Sequence, residues 1–250
     1  MKTILLLTCF TVAFIFTNLT AFSFTLTGTN PNFKGWASGD VKFAINSSNC
    51  PAGIDIKKLM EESFAVWNNV SGSRLKLSVV GTTASTSVSD PVTVYCLTTY
   101  PPPFTAADTD NVPGFAQNTP NGNNAVAGYV VLNATSGQAN ISRYNQELLR
   151  FIIAHEVGHV LGFGHSQDQN ALMYFDASLK TTLSIAQDDV DAVTYMYPRN
   201  ELGVDKPLGC ALVKNLQPPI GPSSGPQWLI LTFFLVLPLL VSRRLGTIKT

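Results

Sequence analysis

Three histidines occur in the 250-residue chain, and all of them fall in the run His155-Glu156-Val157-Gly158-His159-Val160-Leu161-Gly162-Phe163-Gly164-His165. Residues four apart on a helix share a face, so His155 and His159 can present ring nitrogens to one zinc at about 2.0–2.1 Å. Glu156, one residue past the first of them, brings a carboxylate beside the metal without being a ligand. There it can take a proton from water and pass it to a leaving amine. Gly162 can adopt positive φ and end the helix abruptly, which turns the chain back and delivers His165 to the same metal. Three protein ligands leave a fourth position open, the arrangement of a catalytic rather than a structural zinc. The pattern is H-E-x-x-H lengthened to H-E-x-x-H-x-x-G-x-x-H, and the chemistry it predicts is zinc-assisted hydrolysis of a peptide bond. A lone histidine would be read as a core or surface residue. Three at ligand spacing, with no others in the chain, make that reading weak and exclude a second zinc site built from histidine.

The elements that must position these residues follow from periodicity. A helical pattern runs over residues 144–161, with Leu148, Leu149, Ile152, Ile153 and Val160 apolar and Gly162 at the stop position. A second helix, over residues 55–70 and capped by Asp55, carries the stripe Ile56, Leu59, Met60, Phe64 and Trp67. Residues 40–45, 75–80, 92–97 and 128–133 read as strands. Residues 101–124, dense in Pro, Asn, Asp and Gly, read as irregular apart from one extended piece at Gly114-Phe115-Ala116-Gln117. A last helix is expected from Ser184, which has capping-box spacing to Gln187, and Pro198 ends it. Strands first and helices mostly later predict one α+β domain.

Lys plus Arg equals Asp plus Glu at 16 each, without a basic run in the folded part, so binding to nucleic acid is excluded. Residues 1–23 read as a secretory signal cut after Ser23. A Pro/Gly/Ser linker follows the domain at 201–227, then an apolar segment at 228–241 and a basic tail at 242–250. The apolar segment reaches only ~21 Å as a helix, short of the ~30 Å hydrocarbon core. With Arg243 and Arg244 behind it, it resembles a bacterial C-terminal sorting signal, so a bacterial source is expected. The protein is read as an exported monomer, either anchored through this segment or released by its processing. Cys50 and Cys96 can pair in an oxidising compartment or stay as free thiols, and the sequence leaves both open.

With Ser166 directly after the third histidine and Ala171-Leu172-Met173-Tyr174 downstream, the run resembles the metzincins, and among them the matrixin branch of matrix-metalloproteinase-like zinc peptidases. Ser63-Phe64-Ala65-Val66-Trp67-Asn68-Asn69-Val70 is similar to that family's first helix and Ala186-Gln187-Asp188-Asp189-Val190-Asp191 to its last, so the likeness covers about residues 30–198. The resemblance implies a zincin-like catalytic domain over residues 24–200, with a twisted mixed sheet, a long active-site helix and a C-terminal helix. It implies one catalytic zinc on His155, His159 and His165, Glu156 as general base, and protein substrates outside the cytoplasm, those of the extracellular matrix among them. It places Met173 beneath the metal as a structural floor. It assigns Gly114, Phe115 and Ala116 to an edge strand that pairs with extended substrate, and Leu161, Tyr174 and Phe175 to the border of the pocket for the side chain after the cut. It offers calcium to Asp108, Asp110, Asn111, Asn121 and Asn123, for which a solvated turn is the commoner use.

The chain also departs from the animal relatives. No Pro-Arg-Cys-Gly segment and no histidine loop for a structural zinc occur in the sequence, and neither a prodomain before the catalytic half nor a C-terminal propeller is expected. Latency through a thiol is therefore not expected, and Tyr174 stands too close to Met173 to be an extra ligand. The rival reading is a catalytically silent zinc-binding module that keeps the fold, and the intact Glu156 argues against it.

Overall fold

The computed structural model describes residues 24–28, 30–176 and 180–199. The expected signal, linker, apolar segment and basic tail lie outside these residues, and among the described residues no helix is long and apolar enough to cross a membrane.

In chain order the elements are β1 (Asp40–Asn46), α1 (Ile56–Asn68), β2 (Lys76–Thr82), β3 (Val92–Leu97), α2 (Ala106–Asn111), β4 (Gly114–Asn121), β5 (Asn124–Asn133), a 3-10 turn (Ile141–Arg143), α3 (Gln146–Leu161) and α4 (Gln187–Met196). The strands form one five-stranded sheet in the order β2-β1-β3-β5-β4. All neighbours are parallel except β4, which runs antiparallel to β5 and forms one edge. The mixed sheet and the helices packed on it are those of the predicted α+β class.

Alternation decides which face each strand buries. Val41, Phe43 and Ile45 of β1 and Val130 and Leu132 of β5 point into the main core, where the stripe of α1 and most of α3 meet them. Tyr129 and Val131 point to the opposite face and join Tyr95, Tyr100, Phe104 and Phe115 in a smaller aromatic cluster. Helices α1 and α3 are tied together by polar contacts within the apolar core. The Trp67 indole N–H donates to Ala154 O at 3.0 Å, and Ser63 Oγ to Arg150 O at 2.9 Å. Trp36 donates from its ring to Val160 O at 2.9 Å, and Tyr197 from its hydroxyl to Leu161 O at 2.6 Å. Helix α3 is thus fixed along its length by side chains from three other segments, each burying an aromatic ring worth about 1.5–3 kcal/mol.

The differences from the sequence expectations lie at ends and in one loop. Helix α3 begins at Gln146 rather than 144, because Asn145 caps it by accepting from Leu148 N at 2.8 Å. Helix α4 begins at Gln187, with Ala186 in place of Ser184 at the cap, and Asp189 closes that end by accepting the Ala186 N–H at 2.9 Å. The stretch read as irregular contains α2, started where the Asp108 carboxylate accepts the Thr105 N–H at 2.5 Å. The extended piece at Gly114 continues to Asn121. The alternative left open for the cysteines resolves as a disulfide between Cys50 and Cys96, which links the segment after β1 to β3.

Candidate metal centre

Helix α3 supplies His155 and His159, and the backbone orients both rings. His155 Nδ1 lies 2.8 Å from Leu172 O, and His159 Nδ1 lies 2.8 Å from Phe163 O. A carbonyl can only accept, so each Nδ1 carries the proton and each Nε2 keeps a free lone pair. Gly162 ends the helix at φ 107°, its N–H shared between Gly158 O and His159 O. A methyl group at Gly162 would also collide with the Phe33 ring, so glycine is required for space as well as for conformation. The turn that follows brings His165 back, and the ligand nitrogens of the three histidines lie within 4.8 Å of one another. Burial pushes His155 down to about 3, with His159 adding to the effect, and burial also lowers His159 and His165. Three imidazoles kept neutral by burial, two of them with a free Nε2 lone pair, are the donor set of a catalytic zinc, so the residues present fit that ion.

Glu156 is buried beside the trio, and desolvation pushes it up to about 8. The start of β4 makes room for it. A methyl group on Gly114 would stand 3.3 Å from Glu156 Cγ and 2.9 Å from Val131 O. Gly114 was expected only as a strand residue facing substrate, and its fit against Glu156 has no signal in the sequence.

Met173 is buried under the helix, where a methyl group on Gly158 would overlap its sulfur. The turn around it is held by two adjacent carboxylates from the first turn of α4. Asp189 accepts from Leu172 N at 2.7 Å and Met173 N at 3.0 Å, while Asp188 accepts from Ser166 Oγ at 2.5 Å. Ser166 N donates to Met173 O at 2.8 Å, closing the loop between His165 and Met173. The sequence suggested Asp188 and Asp189 only as part of a family-like helix, because two acids at a helix start read first as caps.

His155, Glu156, His159 and His165 line a groove of about 1010 Å³. Gly114, Phe115 and Ala116 line it, with the Phe115 ring also packed against Phe104 at 4.5 Å between centroids. Leu148, Phe151, Ile152 and Tyr174 make one part of its wall apolar, and Phe175 lines it with 64% of its surface exposed. Leu161, expected at the border of this pocket, is fully buried and packs in the core on α3. Three of the residues offered for calcium already make hydrogen bonds within the protein. Asp108 is taken by Thr105, Asp110 accepts from Gln138 N at 2.6 Å, and Asn123 accepts from Asn30. Among the described residues only the three histidines form a group of three or more His, Cys, Asp or Glu able to hold a metal.

Matrix metalloproteinase-18 of Xenopus laevis is 38% identical over 72 residues, which is 28% of this chain and 15% of that protein. Metalloendoproteinase 1 of Glycine max is 42% identical over 53 residues, 21% of this chain and 17% of that protein. Interstitial collagenase of Oryctolagus cuniculus is 38% identical over 71 residues, 26% and 15% of the two chains. The chain therefore spans less than a fifth of the length of these relatives, and their animal and plant sources lend no support to the bacterial origin expected from the tail. The matrixin model of peptidase family M10 matches residues 35–198, from the segment before β1 to the residues just past α4. The chain belongs to the matrixin family, whose catalytic metal is zinc.

Proposed function

We propose that this chain is a zinc-dependent endopeptidase that cuts peptide bonds in proteins outside the cytoplasm, with His155, His159 and His165 as metal ligands and Glu156 as general base. The observation that carries the reading is the convergence of three ligand nitrogens within 4.8 Å beside a buried carboxylate, in a groove walled by an edge strand. A zinc held there supplies a water acidified toward pKa ~7 and a Lewis acid for the scissile carbonyl.

The chain's own residues do the remaining work. Among the described residues strand β4 pairs only with β5, so its outer edge, at Gly114, Phe115 and Ala116, offers backbone groups to an extended peptide, which binds as one more strand. The side chain following the cut enters the apolar part of the groove, bordered by Tyr174 and Phe175. Glu156 takes the proton of the attacking water and returns it to the leaving amine. Met173 supports the ligand helix from below and touches no substrate. Export, a monomeric state and membrane attachment or release through residues 228–241 belong to the same reading, and cell fractionation with and without that segment tests them.

The test is cleavage of an unfolded protein mixture by the full chain. Hydrolysis that a chelator abolishes and zinc restores supports the proposal. A protein that binds zinc yet cuts nothing across a broad peptide library is the silent binding module instead.

A further inference from the structure

We propose that Thr25 is a positioning residue for His165, fixing the third metal ligand through its backbone; this rests on the reading of the three histidines as a zinc site. The rings of His155 and His159 are each oriented by a carbonyl. Among the described residues no hydrogen bond reaches the His165 ring, and His165 is the most exposed of the three. The rings of His155, His159 and Phe175 stand 5.4, 4.9 and 6.4 Å from it between centroids, but ring contacts supply no directed hydrogen bond, so its direction depends on the backbone that carries it.

That backbone is held from a distance of 140 residues. Thr25 Oγ1 donates to His165 O at 2.7 Å. Gly164 N donates to Thr25 O at 2.8 Å, Thr27 N donates to Gly162 O at 2.8 Å, and Leu26 bridges Phe163 in antiparallel fashion. Residues 25–27 thus lie as a short extended segment along the turn at residues 162–165. Of these contacts only the hydroxyl bond depends on a side chain, so a substitution can remove it and leave the backbone pairing intact. Gly164 is fitted to the same hydroxyl, since a methyl group there would overlap Thr25 Oγ1. Contacts outside the ligand set that fix a ligand's direction typically carry a ten- to hundredfold share of metal affinity.

The experiment uses the full chain with Thr25→Val, Thr25→Ser and Gly164→Ala. Each is competed for zinc against a chromophoric chelator, the visible spectrum of its cobalt form is recorded, and the metal-free protein is melted as a control. The expected result is zinc affinity ten- to hundredfold weaker for Thr25→Val and Gly164→Ala, with shifted cobalt bands. Thr25→Ser should return to within about threefold of wild type, and metal-free melting temperatures should stay within about 3 °C. Wild-type affinity in Thr25→Val, or no rescue by serine, overturns the inference. So does a fall in metal-free melting in step with affinity, which makes Thr25 a fold contact only. A wild-type protein that does not bind zinc overturns the proposed function itself.

Discussion

His155 donates its Nδ1 proton to the carbonyl of Leu172, 2.8 Å away, so this ring is oriented by the turn that carries Met173 and not by its own helix. Leu172 is in turn held by Asp189, which accepts its N–H at 2.7 Å. The path from the start of α4 to the metal site is therefore two hydrogen bonds long.

The first prediction follows from that path. In Asp189→Asn the side chain must turn an NH₂ toward one of three N–H groups it now satisfies, from Leu172, Met173 and Ala186. Leaving a buried donor unpaired costs about 1–3 kcal/mol. Denaturant unfolding should show a loss of that size, and chelator competition should show weakened zinc binding, although Asp189 lies outside the ligand set. Unchanged values in both would contradict the path.

Gly158→Ala places a methyl group on the Met173 sulfur and 3.2 Å from the Trp67 ring. Overpacking of this kind typically costs about 1–3 kcal/mol. The metal-free protein should melt several degrees lower, and a melting temperature equal to wild type would show that Met173 is not packed against α3 as described.

Gly114→Ala separates catalysis from metal binding. The added methyl, 3.3 Å from Glu156 Cγ and 2.9 Å from Val131 O, forces either Glu156 or the edge strand to shift. Small displacements of a catalytic group can cost on the order of a hundredfold in rate. The expected result is kcat/KM reduced about ten- to hundredfold with zinc stoichiometry unchanged, measured on one peptide substrate. Full activity would show that the space beside Glu156 is not needed.

Acid sensitivity of the metal-free protein has a definite sign. The unfolded chain protonates His155 below about 6.5, whereas the folded chain holds it down to about 3, so this group's stabilisation is present above 6.5 and lost as pH falls. Glu156, pushed up to about 8, works the other way: its contribution is present below about 4.5 and lost as pH rises toward 8. Glu156→Gln removes only the second. Its melting temperature should therefore fall more steeply than that of wild type between pH 7 and 4.5, and an equal or shallower fall would contradict the burial of Glu156.

Much of the site was legible because its residues are local. The spacing of His155 and His159, and Gly162 as a left-handed stop, are consequences of one helix and its end, and one helix is what periodicity reports. Contacts that close over long stretches were not legible: Thr25 on His165, Gly114 against Glu156, and Asp189 on the Met173 turn each join segments 16 or more positions apart. The burial of Leu161 was not legible either, because its neighbourhood in sequence says nothing of which side of α3 it occupies; Tyr197, 36 positions on, donates to its carbonyl from within the core. Helix α2 was missed because the Pro, Asn and Asp around it outweighed the capping spacing of Thr105 and Asp108.

The most direct test of the central claim compares full-length wild type with Glu156→Gln for zinc content and for cleavage of a mixed peptide library, with and without chelator. The account predicts about one zinc per chain in both proteins and hydrolysis by the wild type alone, lost on chelation. Equal cleavage by Glu156→Gln, or cleavage that survives removal of the metal, would contradict it.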